Sequence, residues 1–403
     1  MPKVILHINS FLIGSTGNIM KGIASAADEM GYKSFIAYPS SITNNIVLVE
    51  NPVKIGFRLD RNLHLVRSYI SGYNGCYSVY VTNLFISRIK QINPDIIHLH
   101  NLHNCYINLE IMFDFLRNSG IPIVWTLHDC WSFTGQCTHY SMINCEKWKK
   151  QCYNCPQFTE YPSSRVDKTE IMYQLKRKWF TNIKGMYLVT PSLWLKNEVK
   201  QSFLCNYPIN VINNGIDLTI FKPTKSDFRL DNNLLDKTIL LGVANPWSYK
   251  KGLQIFKDLS KKLDDNFVIV LVGLTSDQIA ELPEKMIGIR KTDNQNELAK
   301  IYTASDYFLN PSFEETMGLV TIEALACGTP VIVSNLTAVP EVVTNKCGIV
   351  VNQNTAECFY QTILTLKNQF LKEDCISQAR EFNSVTKYSE YTSLYTQITS
   401  ING

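Results

Sequence analysis

No apolar run in these 403 residues approaches the roughly 18–20 that a bilayer-spanning helix needs, so the pattern excludes a helical membrane protein. Charge of one sign is scarce too. The net charge is +4 and the pI about 8.3, short of the usual basicity of a nucleic-acid binder. A basic leader with a small-residue cleavage site is missing, because the chain enters Val4-Ile5-Leu6-His7-Ile8 at once. The expectation is a cytoplasmic protein whose 12 cysteines are reduced or metal-bound rather than paired. Internal repeats and low-complexity tracts are absent as well. So is a Gly-x-Gly-x-x-Gly turn followed by an acidic ribose ligand. Gly14-Ser15-Thr16-Gly17-Asn18 has different spacing, and Tyr38-Pro39-Ser40 stands where the acid belongs, which argues against a nicotinamide dehydrogenase.

What is present is the composition of a globular enzyme, 45% hydrophobic and 18% charged. Single cores stop growing at roughly 250–300 residues, so this length predicts two domains. Short β-branched runs alternate with longer amphipathic segments, the pattern of parallel sheets covered by helices. The first half offers Val4–Ile8, Ser34–Ala37, Ile96–His98, Ile123–Leu127 and Tyr187–Thr190 as strands. The second offers Asn210–Ile212, Thr238–Val243, Phe267–Val272, Tyr307–Leu309 and Val331–Val333. The fold class is therefore α/β, with two doubly wound domains facing across a cleft at the carboxyl ends of their strands. We place the domains at 1–205 and 206–380, with a helix over 381–403 that packs back on the first.

The densest chemistry follows the strand Tyr307–Leu309. Pro311-Ser312-Phe313-Glu314-Glu315-Thr316-Met317-Gly318 leads into a helix that ends near Gly328. Backbone amides of Met317, Gly318 and Leu319 would then stand at a helix N-terminus, a seat for a diphosphate. Glu323 can accept two hydrogen bonds from a vicinal diol such as ribose, and Glu315 can do the same for sugar hydroxyls. After another apolar strand, Ala244-Asn245-Pro246-Trp247-Ser248-Tyr249-Lys250-Lys251-Gly252 supplies ammonium groups that can stabilise charge on a leaving nucleotide. Taken alone, glutamates eight apart and a lysine pair also suit a solvated surface.

The run from Glu315 through Glu323-Ala-Leu-Ala-Cys-Gly-Thr-Pro-Val331 resembles the Glu-x7-Glu signature of family 4 retaining glycosyltransferases. That resemblance covers nearly the whole chain. It implies the GT-B fold, a nucleotide-diphosphate sugar as donor, no catalytic metal, and substitution at the anomeric carbon with retained configuration. It implies that Glu315 contacts the transferred sugar, Glu323 the ribose and Lys251 the diphosphate, with Lys250 beside it. Asn245 stands where the family usually has an arginine, so one positive charge is missing. Arg290 lies where relatives clamp the base, Gly17 where the first domain meets the diphosphate, and His128 matches the histidine that meets the donor sugar.

Two histidine clusters, His98-Leu99-His100-Asn101-Leu102-His103 and His128-Asp129, follow apolar strands and are expected to project toward the cleft. His100 and His103 are read as acceptor-side residues. Beyond them, Cys152-Tyr153-Asn154-Cys155 has the two-residue gap that lets both sulfurs reach one metal. With Cys137 and Cys145 it makes a candidate structural zinc set inside an insert near 130–156, reduced or partly paired thiols being the alternative. The run His128-Asp129-Cys130-Trp131-Ser132-Phe133-Thr134-Gly135 resembles an insert of bacterial capsular and other surface-polysaccharide glycosyltransferases. The implied acceptor is a glycan or lipid-linked glycan, with the basic, aromatic Arg58–Tyr80 region resting on the inner face of the membrane and no nucleic acid involved. A noncatalytic sugar-nucleotide binder, or a sucrose-synthase-like or phosphorylase-like activity on the same fold, are the alternatives.

Overall fold

In the computed structural model, which describes residues 2–366 and 369–401, the chain divides into two compact units. One runs to Asn213 and takes up the chain again from Val385; the other is Asn214–Ser384.

The first unit holds seven strands: β1 (Val4–Ile8), β2 (Lys33–Pro39), β3 (Pro52–Ile55), β4 (Ile96–Leu99), β5 (Ile123–Thr126), β6 (Met186–Thr190) and β7 (Ile209–Val211). They pair in parallel in the order β3-β2-β1-β4-β5-β6-β7. The central strands β4 and β5 are buried at every position, as expected where helices cover both faces of a sheet. One face carries Leu6, Ile8, Ile97, Leu99, Ile123 and Trp125 into the main core. Each such side chain contributes about 1.5–3 kcal/mol on leaving water. The opposite face lies under the C-terminal helix Ser384–Ile401, whose Tyr395 hydroxyl stands 2.6 Å from Nδ1 of His98. Tyr388 of that helix also reaches the first helix, Gly14–Glu29, where only a glycine fits at position 22: a Cβ there would stand 2.2 Å from the tyrosine ring.

The second unit holds β8 (Thr238–Val243), β9 (Phe267–Val272), β10 (Met286–Ile289), β11 (Tyr307–Asn310), β12 (Val331–Val333) and β13 (Gly348–Val350). Their order, β10-β9-β8-β11-β12-β13, repeats the scheme of the first sheet. In each the strand sequence reverses direction beside its first strand, between β1 and β4 and between β8 and β11. Such a switch point leaves a crevice at the carboxyl ends of the strands, where ligands of doubly wound sheets bind.

Two expectations need correction. The strand around Asn210–Ile212 belongs to the first sheet, not the second: β7 pairs with β6, and Ile212 donates to the Thr190 carbonyl. The chain passes to the second unit after Asn213 instead of after Cys205. The turn Asn213-Asn214-Gly215 marks that passage. Gly215 is needed because a Cβ would stand 2.2 Å from Ser384 Cα on the returning chain. The sequence reading also missed β3, β10 and β13, each an edge strand.

Candidate functional site

In the second unit, the loops that leave β8 and β11 meet at the switch point. The β8 loop ends at Gly252, whose φ of +77° and close approach to the Pro311 carbonyl (2.5 Å from a built Cβ) exclude any side chain. Phe313 donates its amide to the Lys250 carbonyl at 2.9 Å. These contacts set two adjacent lysines against two adjacent glutamates. Lys250 Nζ is 3.3 Å from Oε2 of the buried Glu314, and Lys251 Nζ is 2.6 Å from Oε1 of Glu315. Ser312 Oγ donates to the same Glu315 oxygen at 3.3 Å, and the Glu315 amide donates to Thr337 Oγ1 at 3.1 Å. The pairing of Lys250 with Glu314 was not foreseen; its signal is the matched Lys-Lys and Glu-Glu pairs in the sequence.

Gly318, at φ +83°, opens the helix Leu319–Ala326. That conformation suits glycine and frees the first amides of the helix from internal partners. Met317 beside it is buried, and its Sδ accepts the Asn214 amide at 3.0 Å. One turn into the helix, the half-buried Glu323 accepts a hydrogen bond from the Tyr302 hydroxyl at 3.1 Å. Burial pushes its pKa up from 4.5 to about 7, and the tyrosine bond only partly opposes this. Tyr302, also missed in the sequence, is itself kept neutral because burial and the Glu323 charge raise its pKa well above 10. Asn245 and Arg290 are both exposed. Asn245 comes just after β8, where Gly273 at the end of β9, at φ +99°, would place a Cβ 1.9 Å from the Ala244 carbonyl oxygen.

In the first unit, Gly17 lies within the opening turns of the helix Gly14–Glu29 rather than in a free loop. Its smallness is required by the chain's own backbone, since a Cβ would stand 2.4 Å from Leu12 C. The histidines need a further correction. His98 lies inside β4, in register with His7 of β1. It spends both nitrogens on Tyr395 and Thr126, at 2.6 and 2.8 Å, so it is a sheet residue that does not project from the strand end. His100 is also buried, and its Nδ1 stands 3.1 Å from Nε2 of His128. His103 is buried between Tyr161 Oη and Asp129 Oδ2, each at 3.0 Å. His100 and His103 are therefore buried side chains that line one small pocket together with His128 and Asp129.

Burial holds His7 at a pKa of about 3 and His128 at about 4, although Asp129 pulls His128 the other way. The column of rings is neutral at physiological pH. His7, His98 and His100 are the one set of three metal-capable groups within 4.8 Å among the described residues. It supplies no anion, and His98 has no nitrogen to spare.

The insert after β5 brings Cys137, Cys145, Cys152 and Cys155 to the lining of one cavity. Beside it, Lys176 is fully buried, and desolvation lowers its pKa to about 7.

Residues 50–220 match the glycosyltransferase family 4 description, and residues 237–369 match glycosyl transferases group 1. The putative colanic acid biosynthesis glycosyl transferase WcaC of Escherichia coli K12 is 26% identical over 282 residues, 67% of this chain and 67% of its own length. The next curated relatives are spanned over half to under two thirds of their length. Among solved structures, sucrose-phosphate synthase from Thermosynechococcus elongatus superposes with a TM-score of 0.73 at 17% identity, covering 99% of this chain and 100% of that one. The Anabaena protein HepE in complex with UDP gives 0.68 at 15% identity, over 98% and 100%. At such identities these structures carry the fold alone.

Proposed function

From the premise that this chain is a glycosyltransferase of family 4, built on the two Rossmann-like domains of the GT-B fold, we propose a donor, an outcome and an acceptor. The donor is a nucleoside-diphosphate sugar. The transfer retains anomeric configuration. The acceptor is a hydroxyl of a glycan or lipid-linked glycan in polysaccharide biosynthesis. The observation that carries this reading is the Lys251–Glu315 contact of 2.6 Å at the β8/β11 switch point. It joins a cation suited to a diphosphate to a carboxylate suited to sugar hydroxyls, one turn ahead of the glycine-opened helix Leu319–Ala326.

On this reading the diphosphate lies against the first amides of that helix and Lys251, with Lys250 adding charge. Glu323 accepts the two ribose hydroxyls, and Glu315 orients the transferred sugar. Arg290 is assigned to the base and Gly17 to the first-domain side of the donor on the resemblance alone. So is the contact of His128 with the sugar. Its neutrality suits that role, because a neutral imidazole tolerates positive charge growing on the anomeric carbon where an imidazolium would oppose it. The leaving phosphate assists deprotonation of the acceptor hydroxyl on the same face, so Glu315 positions rather than attacks.

Incubation with a panel of UDP- and GDP-sugars tests the reading. Acceptor-dependent nucleotide release and an NMR coupling that preserves the donor's anomeric configuration support it. An inverted product refutes retention. Nucleotide binding with no turnover on any glycan acceptor would favour a noncatalytic descendant, for which Asn245 in place of arginine is the specific support.

Membrane contact belongs to the same proposal. The helix Arg58–Ser71 buries His64 and Ser68 but exposes Leu59, Leu63, Val66 and Ile70, beside an exposed Phe57 and the exposed Arg58 and Arg67. An apolar face edged by arginines suits an anionic interface. No helix among the described residues is long and apolar enough to cross a membrane. Failure to co-sediment with phosphatidylglycerol vesicles at low salt would remove this part.

A further inference from the structure

Between β5 and the helix Thr169–Phe180 the chain makes an excursion of about 40 residues, far longer than ordinary connections. Its only regular pieces are single 3-10 turns at Trp131–Phe133, Ser141–Ile143 and Lys147–Lys149. Yet it is closely packed, with Trp131, Phe133, Tyr140 and Trp148 all buried. A segment with so little backbone pairing needs another source of order.

That source is indicated where the four cysteines converge. Cys137, Cys145, Cys152 and Cys155 line one cavity of about 20 Å³, room for a single small guest. The sulfurs of Cys137 and Cys155 stand 3.6 Å apart. A disulfide would hold them at about 2.05 Å. Two thiolates at about 2.3 Å from a shared tetrahedral zinc stand about 3.8 Å apart. The Gly135 amide donates to Cys152 Sγ at 3.2 Å, the kind of outer-shell bond that orients a metal-ligating sulfur. Glycine is required there, because a Cβ would stand 2.4 Å from the Thr169 carbonyl oxygen and 3.0 Å from the Cys152 Cβ. The excursion also buries a lysine without an acidic partner. Lys176 Nζ bonds to the carbonyls of Trp131 and Thr134, and no carboxylate lies within ion-pair distance among the described residues. A tetrathiolate zinc carries a net charge of −2, which would favour the charged form of this buried amine.

We propose that Cys137, Cys145, Cys152 and Cys155 bind one zinc ion as four thiolates and that this ion orders the excursion. Only Cys137 and Cys155 already stand at ligand spacing, and Cys145 and Cys152, which line the same cavity, would have to close on them as the ion binds. The ion is structural, since four protein ligands leave no open position. Its reach extends to the histidine site through the head of the excursion. The Trp131 amide donates to Asp129 at 2.8 Å, and Asp129 holds His103.

The full chain, purified under reducing conditions and analysed by elemental mass spectrometry, should carry about one zinc per chain. Replacement by cobalt should give a thiolate-to-cobalt charge-transfer band and the intense visible absorption of a tetrahedral site. Cys152→Ser and Cys155→Ser should each lose the metal, while Cys205→Ser, at an exposed cysteine outside the cluster, should retain it. If the cluster variants do not fold, the wild-type chain still decides. Stripping with a strong chelator should make the four cysteines reactive to iodoacetamide and open Lys147–Lys150 to trypsin. Metal-free protein whose cluster thiols alkylate without chelator would overturn the proposal, as would a Cys137–Cys155 disulfide found by peptide mapping.

Discussion

Glu323→Gln should make the second domain more stable at neutral and alkaline pH while weakening its hold on nucleotide. Burial lifts the Glu323 pKa from 4.5 to about 7. A shift of that size corresponds to about 3 kcal/mol between the protonated and ionised forms. Because the folded-state pKa is the higher one, the stabilisation is fully present below pH 4.5. It is lost as the pH rises through about 7, since the unfolded chain ionises first. Glutamine carries no such dependence and can still accept the Tyr302 hydroxyl. The melting temperature of the variant should therefore rise relative to wild type between pH 5 and pH 8, by roughly 5–10 °C at the upper end. Melting curves measured by differential scanning calorimetry across that range check this. Nucleotide binding should behave oppositely. Ribose hydroxyls prefer the carboxylate, so wild-type affinity should fall about tenfold per pH unit below 7. Glutamine should cost about 10-fold or more at pH 8, the worth of a hydrogen bond to a charged group. Titration calorimetry of UDP and GDP at several pH values gives both numbers. Parallel melting profiles, or an affinity indifferent to pH in wild type, would refute the reasoning.

Lys251→Ala should lower kcat/KM by about 10²–10³, as loss of a charge aimed at the leaving group does. The partly buried Lys251–Glu315 pair should add about 1 kcal/mol or less to stability. A fall of less than fivefold would count against the diphosphate assignment. His128→Ala should reduce kcat about 100-fold and leave donor affinity within about threefold, measured by steady-state kinetics beside calorimetry. Equal losses in both would recast the residue as a binding group. Gly273→Ala should destabilise the second domain by about 2–4 kcal/mol, because φ of +99° and a Cβ 1.9 Å from the Ala244 carbonyl oxygen are both forbidden. An unchanged urea midpoint would show that the β8 loop yields freely.

Strands buried on both faces were legible because Val4–Ile8, Thr238–Val243 and Phe267–Val272 are short, mostly apolar runs, and their bounds match the structure residue for residue. The failures share one cause. β3, β10 and β13 are edge strands, and β7, assigned to the wrong sheet, is the remaining edge. An edge strand pairs on one side and stays partly exposed, so Met286-Ile-Gly-Ile289 and Gly348-Ile-Val350 carry little pattern of their own. Which sheet such a strand joins depends on which neighbour offers free backbone groups, and no local pattern records that.

The same division holds at the site. Sequence by itself determined which residue types are available and which loops carry them, because the Gly318 turn, the lysine pair and the Glu315–Glu323 spacing are local features of the chain. Tertiary structure alone decided how they act. It set Lys250 against Glu314 and Lys251 against Glu315, gave Glu323 a tyrosine from 21 residues away, and buried His98, His100 and His103. Burial and long-range pairing fix a side chain's charge and direction. Both depend on what the fold brings beside it.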